Sequence, residues 1–449
     1  MRFASKTLMM IGLTVLLLMA LSSIGGLVHD RQRYRAQAVE EIARSTAAAQ
    51  LIEGPVLFVP YSDRIVTLQP GPNGTQRQVE EVETGTWVFF PQSLDVKGTL
   101  QSLPRMRGLH EVRVFELDST VRATFRVRIP VDDDPSSPRK IGAPRLGVGI
   151  SDVRGLAGEP SLLVSGVRLP LQQGNGNGRS GLHAVLAAPA PGSIVDVSML
   201  FKSSLQGTET LSIAPLAGRN VVELDSPWPH PQFHGEFLPR SRSVRSNGFE
   251  GRWEISSLAT DAQARYRANL DRTAEGVATE AISVTLVDPV NVYSQVDRAT
   301  KYGLLFVLLT FGAFFLFELF KRLRIHPIQY GLVGLAIAIF FLLLLALSER
   351  VAFGLAYVVA ASGCVALIGF YLAQVLGGWQ RGLGFAGMLG TLYAALYGLL
   401  ISEDNAMLLG AGLLFAILAA VMILTRKVDW YQATASAATS FPPTGFSGQ

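Results

Sequence analysis

Runs of uncharged apolar residues constrain this chain more than any other feature, because a helix of about 20 such residues matches the hydrocarbon thickness of a bilayer. Six segments qualify or nearly do: residues 8–28, 303–320, 328–347, 351–376, 383–401 and 406–424. Only the second carries an ionisable residue, Glu318. The charged residues crowd instead into roughly 29–301. With 49% hydrophobic and 16% charged residues overall, the composition is a mixture suited to two solvents rather than to one soluble enzyme. The expected architecture is therefore a multi-domain membrane protein. It has an N-terminal transmembrane helix with a helical stalk (1–53), a large all-β, sandwich-like domain (54–298), a C-terminal bundle of five transmembrane helices (299–432) and a disordered cytoplasmic tail (433–449).

The first span has a competing reading as a cleaved signal peptide, since Ala20-Leu21-Ser22 loosely fits a cleavage site. Its apolar run is long for a signal, and helix-compatible residues continue from Asp30 through Ile52 to a helix stop at Gly54-Pro55. A retained anchor running on into the stalk is the expectation. Orientation follows from the cations of the short loops, which resist translocation. Lys321, Arg322 and Arg324, then Arg381, then Arg426 and Lys427 share one side, while Ser348-Glu349-Arg350 and Ser402-Glu403-Asp404-Asn405 face the other. Both termini are thus expected in the cytoplasm of a bacterial cell and the large domain in the periplasm. Arg31, Arg33 and Arg35 beyond the first span oppose this count.

The middle region has the punctuation of a β domain. Residues 121–129 alternate apolar positions with Arg122, Thr124, Arg126 and Arg128, the period-2 signature of a half-buried strand. A strand at 112–117 is expected to pair with it as a hairpin across Asp118-Ser119. Further short strands are expected at 87–90, 162–171, 194–201, 211–213, 221–224 and 282–287. The glycine-rich stretch 174–178 reads as a flexible break between two lobes.

A net charge of +4 with no basic face or RNA-binding aromatic motif argues against nucleic acid as a partner, and a single cysteine, Cys364, against a disulfide framework. No phosphate loop, G-x-S-x-G elbow or H-E-x-x-H occurs. Three constellations stand out. His230, His234 and Glu236 beside Trp228 and Pro227, Pro229 and Pro231 form either a metal site or a rigid aromatic-proline turn that packs one sheet on another. The prolines favour the turn. Asp152 and Arg154 form either an anion site or a mutual pair that holds a loop, and the pair is expected. Glu318, in the membrane, is either functional or an interfacial partner of Lys321 and Arg322. Gly387, Gly390 and Ala394, with Gly410 and Gly412, suggest close helix packing.

Several blocks in order resemble the CreD family of inner-membrane, cell-envelope-integrity proteins. They are Gly54-Pro-Val-Leu-Phe-Val-Pro60, Ser151-Asp-Val-Arg-Gly155, Trp228-Pro-His-Pro231, Phe237-Leu-Pro239, Gly248-Phe249 with Trp253, Asp297-Arg-Ala-Thr-Lys-Tyr302, His326-Pro-Ile-Gln-Tyr330 and Leu344-Leu-Ala-Leu-Ser-Glu349. The resemblance implies an envelope-stress role and association with a two-component regulon, and it carries over no catalytic residue. The positions singled out are Asp152, Arg154, Trp228, His230, His234, Glu318 and His326. The expected function is a non-enzymatic envelope protein without cofactor or metal, its periplasmic domain binding an envelope protein or ligand and its helices the lipid bilayer. A small-molecule or lipid transporter or channel component, and a periplasmic envelope-modifying enzyme, are the alternatives.

Overall fold

The computed structural model describes residues 3–70, 76–108, 110–131, 139–270, 278–286, 292–321, 325–375, 377–402 and 406–426. The expected tail at 433–449 lies outside them. After α1 (Phe3–Ser45) come β1 (Gln50–Pro70), β2 (Gln76–Phe89), β3 (Ser93–Arg107), β4 (His110–Arg128), β5 (Lys140–Ile141) and β6 (Arg145–Ile150). A 3-10 turn, Val153–Gly155, leads into β7 (Leu156–Val164), β8 (Val167–Leu169), β9 (Gln172–Gln173), β10 (Gly181–Val185), β11 (Ile194–Thr208) and β12 (Thr210–Ile213). Then follow β13 (Arg219–Ser226), β14 (Pro231–Gly235), β15 (Ser241–Arg245), β16 (Gly248–Ser256), α2 (Ala262–Leu270) and β17 (Ile282–Leu286). The remaining helices are α3 (Val292–Lys301), α4 (Gly303–Lys321), α5 (Pro327–Ser348), α6 (Phe353–Val375), α7 (Trp379–Ile401) and α8 (Ala406–Thr425). They form two compact units, Met1–Tyr34 with Val290–Gln449, and Arg35–Pro289.

In the helical unit, four helices among the described residues are long and apolar enough to cross a membrane, and α3 with α4, bent by 40°, makes a fifth if the pair is one span. The sixth expected span falls on α8, whose described apolar stretch, Leu408–Ala419, is shorter than a span. The N-terminal helix belongs to this bundle's core. Leu17, Leu21, Ile24 and Val28 recur at helical spacing and are buried with α4 and α5 residues. Leucines meet glycines here: a Cβ on Gly334 would lie 2.2 Å from Leu17, and one on Gly303 3.1 Å from Leu21. Small residues also bring α6 and α7 together, but not those expected. Gly382 lies against Ala373 and Gly369 against Ala386, whereas Gly387, Gly390 and Gly412 face open space. The contacting stripe is displaced around the helix from the one that spacing suggested. A hydrogen-bond chain ties three helices: the Cys364 thiol donates to the Ala336 carbonyl (3.4 Å) and lies 3.2 Å from the Tyr393 hydroxyl, and Tyr357 donates to the Tyr393 carbonyl (2.8 Å).

The β unit is a two-sheet sandwich. One sheet runs β14-β17-β12-β1-β6-β10-β9, with β2 and β5 also on β1, and the other β15-β16-β13-β3-β4-β11-β7-β8. Both contribute to one core, which includes Leu57, Val148 and Ile213 from the first and Phe115, Phe125 and Trp253 from the second. The expected two lobes are therefore not separate cores. The stretch at 174–178 is a loop closed on itself, where buried Asn175 accepts hydrogen bonds from the backbone of Asn177 (3.0 Å) and Arg179 (3.1 Å). Strands at 87–90, 194–201, 211–213, 221–224 and 282–287 fall on β2, β11, β12, β13 and β17, and 162–171 is the β7–β8 hairpin.

Two expected breaks are absent. Asp118-Ser119 is no turn: β4 runs straight through, paired with β3 on one side and β11 on the other. Asp118 points outward, while buried Ser119 finds the Ser203 hydroxyl at 3.1 Å. Gly54-Pro55 is not a helix stop either, since α1 ends at Ser45 and this pair lies inside β1, at a register shift against β6. Gly54 has φ 104°, which a side chain would strain.

Candidate functional site

The last turns of α1 are fastened to the sandwich by the Ser151–Gly155 block. On β4, odd positions enter the core while Val112 and Val114 face outward, where Ala38 and Ile42 of α1 cover them. An apolar pair on an outer face is thus explained by the helix that packs on it. Arg154 sits on the 3-10 turn that Asp152 caps. The guanidinium grips the carboxylate with Nε to Oδ1 at 2.9 Å and Nη2 to Oδ2 at 2.6 Å. Its Nη1 donates to the Arg44 carbonyl at 2.9 Å, satisfying an orphan acceptor at the end of α1. Asp152 also accepts from the Ala48 backbone at 3.1 Å. The Arg154 hydrogen bond holds this carboxyl down to about 2.

Two residues that spacing gave no hint of complete the junction. Gln50, 1% exposed, uses both amide hydrogens, on the carbonyls of Asp152 (2.9 Å) and Gln206 (2.8 Å). Its oxygen accepts from Ser151 (3.1 Å) and the Asp152 backbone (3.3 Å). Thr208 donates to the Ala47 carbonyl at 2.6 Å. The next residue, Glu209, has φ 57° and forms the corner at which the chain leaves β11 in one sheet for β12 in the other. Arg35 of α1 pairs with it at 2.9 Å. The expected mutual Asp152–Arg154 pair is present, and what it holds is the end of a helix.

The turn between β13 and β14 likewise carries the chain from one sheet to the other. Trp228 is half-buried against the core, with the Arg113 guanidinium 4.1 Å from its ring centre and its indole N–H donating to the His230 carbonyl at 3.1 Å. His230 and His234 are exposed, and His234 is hydrogen-bonded to Thr285 at 2.5 Å. Glu236 accepts from the Ala281 backbone at 3.0 Å. No group of three or more His, Cys, Asp or Glu among the described residues is placed to hold a metal ion. The fully buried tryptophan of the domain is Trp253, not Trp228.

His326 caps α5: its Nδ1 accepts from the Ile328 backbone at 3.3 Å, and Gln329 answers by accepting from the His326 backbone at 3.0 Å. The side chain of Glu318 lies outside the described residues. A groove of about 680 Å³ between α6 and α7 is lined by residues such as Tyr357, Phe370, Trp379 and Tyr397, without a described carboxylate, imidazole or thiol.

One titratable cluster escaped sequence reasoning because its members are far apart in the chain. Tyr266 of α2 is buried near Glu53 of β1, whose carboxylate accepts from Thr279 at 3.2 Å with Arg179 nearby. Burial raises the Glu53 pKa against the lowering effects of Thr279 and Arg179. A carboxyl that holds its proton more tightly when folded gains stability as pH falls through its raised pKa and costs stability, as the ion, above it. Glu53→Gln is therefore expected to raise the melting temperature at pH 7 more than at pH 5. Thermal unfolding at both values checks this, and a variant less stable at pH 7 would contradict it.

A family model described as inner membrane protein CreD matches residues 2–431. The inner membrane protein CreD of Escherichia coli (strain K12) is 34% identical over 429 residues, covering 95% of this chain and 93% of the relative. Among solved structures, an M1 zinc metallopeptidase from Deinococcus radiodurans matches 43% of this chain and 41% of its own at 10% identity, with a TM-score of 0.20 that carries no argument about fold or chemistry. The resemblance read from the sequence blocks thus extends over nearly the whole length, and the chain belongs to the CreD family of inner membrane proteins.

Proposed function

We propose that this chain is a non-enzymatic component of the bacterial envelope. Its β domain lies in the periplasm and binds an envelope partner, its helices hold it in the inner membrane, and its role is to maintain envelope integrity or stress tolerance. The observation that carries this reading is where the side chains of the family-like blocks go. Asp152 and Arg154 close on the end of α1, Trp228 on its own turn and Arg113, and His326 on the start of α5. These side chains fasten the chain to itself, which leaves the domain's outer surface as the place for a partner.

The orientation is supported by the cations of the short loops. Arg31, Arg33 and Arg35 precede a long domain, and long domains translocate largely regardless of such charges, so the loops after α4, α6 and α8 dominate the count. Alkaline phosphatase fused near Gly174 is expected to be active and a fusion after Lys427 inactive. Activity at the second site would reverse the proposed orientation.

Crosslinking of the intact protein in native membranes, followed by mass spectrometry, tests the function. The expected result is a recurrent envelope protein or ligand attached through the β domain. Turnover of a lipid or peptidoglycan substrate by the purified protein, lost on mutation, would overturn the non-enzymatic reading.

A further inference from the structure

Two open edges of the sandwich carry matched chemistry. The 14-residue strand β2 pairs, among the described residues, with β1 alone, so its other edge has no partner strand. It presents Glu80, Glu81, Val82 and Glu83, all exposed, with Val82 at 59%. The terminal strand of the other sheet, β15, pairs only with β16 and presents Arg242, Ser243, Val244 and Arg245, with Val244 at 51%. None of these five charged residues forms an ion pair with a described residue. A charge on a sheet edge ordinarily repels a second copy of the same edge. Two edges of opposite sign remove that protection from each other.

We propose that copies of this chain associate edge to edge, β2 of one copy adding to β15 of the next. In a parallel register Glu80 stands opposite Arg242, Val82 opposite Val244 and Glu83 opposite Arg245, so both charged positions and the apolar one match at once. A slip of one residue places a glutamate against the valine and turns the side chains to the wrong face, which fixes the register. Because the two edges differ, the contact is heterologous and leaves one of each edge free on every pair, so association continues into rows or rings of several copies rather than stopping at a pair. The proposal does not depend on the envelope partner proposed above.

Adjacent strands lie about 5 Å apart, within disulfide reach, and the native thiol, Cys364, is buried in the helical unit. In native membranes, Val82→Cys and Val244→Cys proteins expressed together are expected to crosslink into dimers and no further. The intact double variant should give a ladder. Glu80→Arg with Glu83→Arg should lower the yield roughly fivefold, and adding Arg242→Glu with Arg245→Glu should restore it. All six positions are exposed, and an unchanged protease-resistance pattern certifies folding. The proposal is overturned if folded variants fail to crosslink, if Val82→Cys links chiefly to itself or to another protein, or if charge reversal leaves the yield unchanged.

Discussion

Replacing Trp253 by alanine is expected to destabilise the β unit by about 3–5 kcal/mol, the usual cost of truncating a buried aromatic. The side chain is 1% exposed, and its ring stands edge-on to Phe233 with centroids 5.7 Å apart. Its indole N–H donates to the Phe237 carbonyl at 3.1 Å, so truncation also leaves an acceptor unpaired. Gly251 lies against the ring, where an added Cβ would come within 2.8 Å of it. Gly251 itself has no side chain to fill the gap. Trp228→Ala should cost clearly less, because that ring is only half-buried and keeps one face toward Arg113. Denaturant titration of the two variants, followed by proteolysis of the β unit, makes the comparison. Equal losses would mean that the sheet-crossing turn, rather than the Trp253 pocket, limits stability.

Gly155→Ala is the second large effect. Its added Cβ would lie 2.1 Å from the Gln206 carbonyl oxygen and 3.0 Å from the Ala47 Cβ. The first of these is backbone in a strand paired on both sides, which has little freedom to retreat. The cost is expected at or beyond the top of the roughly 1–3 kcal/mol range for overpacking. The break should appear locally, as protease cleavage between Ser45 and Gln50 before the sandwich unfolds. Asp152→Ala, which removes an acceptor and leaves space, should cost less, about 1–3 kcal/mol. Since Arg154 holds the Asp152 carboxyl down to about 2, its contribution is present above the ordinary carboxylate pKa and fades as pH falls toward that value. A Gly155→Ala protein with wild-type protease resistance would remove the clamp from this account.

What the sequence made legible follows from periodicity. The apolar runs located the membrane helices, and the alternation at 121–129 located the inner face of β4, because both patterns repeat along one element. Punctuation misled where partners from elsewhere in the chain override it. Asp118-Ser119 looks like a turn until β3 and β11 pair across it, and Gly54-Pro55 looks like a helix stop until β6 lies beside it. The mutual pairing of Asp152 with Arg154 was legible from their spacing. Their hold on α1 was not, since it needs Arg44, Ala48 and Gln50 brought together from a hundred residues away. Trp253 does stand in such an alternation, with Phe249 and Ile255 on its face and Glu250, Arg252 and Glu254 on the other, which marks it for the core ahead of Trp228.

The core of the helical unit joins residues made far apart in time during protein synthesis. Leu17 and Leu21 rest against Gly334 and Gly303, yet the whole β unit is encoded between them. At about 5–20 residues per second a ribosome needs on the order of tens of seconds to reach those glycines. For that interval the first helix has none of its packing partners from α4 and α5. It must persist on its own hydrophobicity, while the β strands that close on its far end are completed first. The first helix is therefore made before the β unit yet packs only after it, the last of the early segments to find its place.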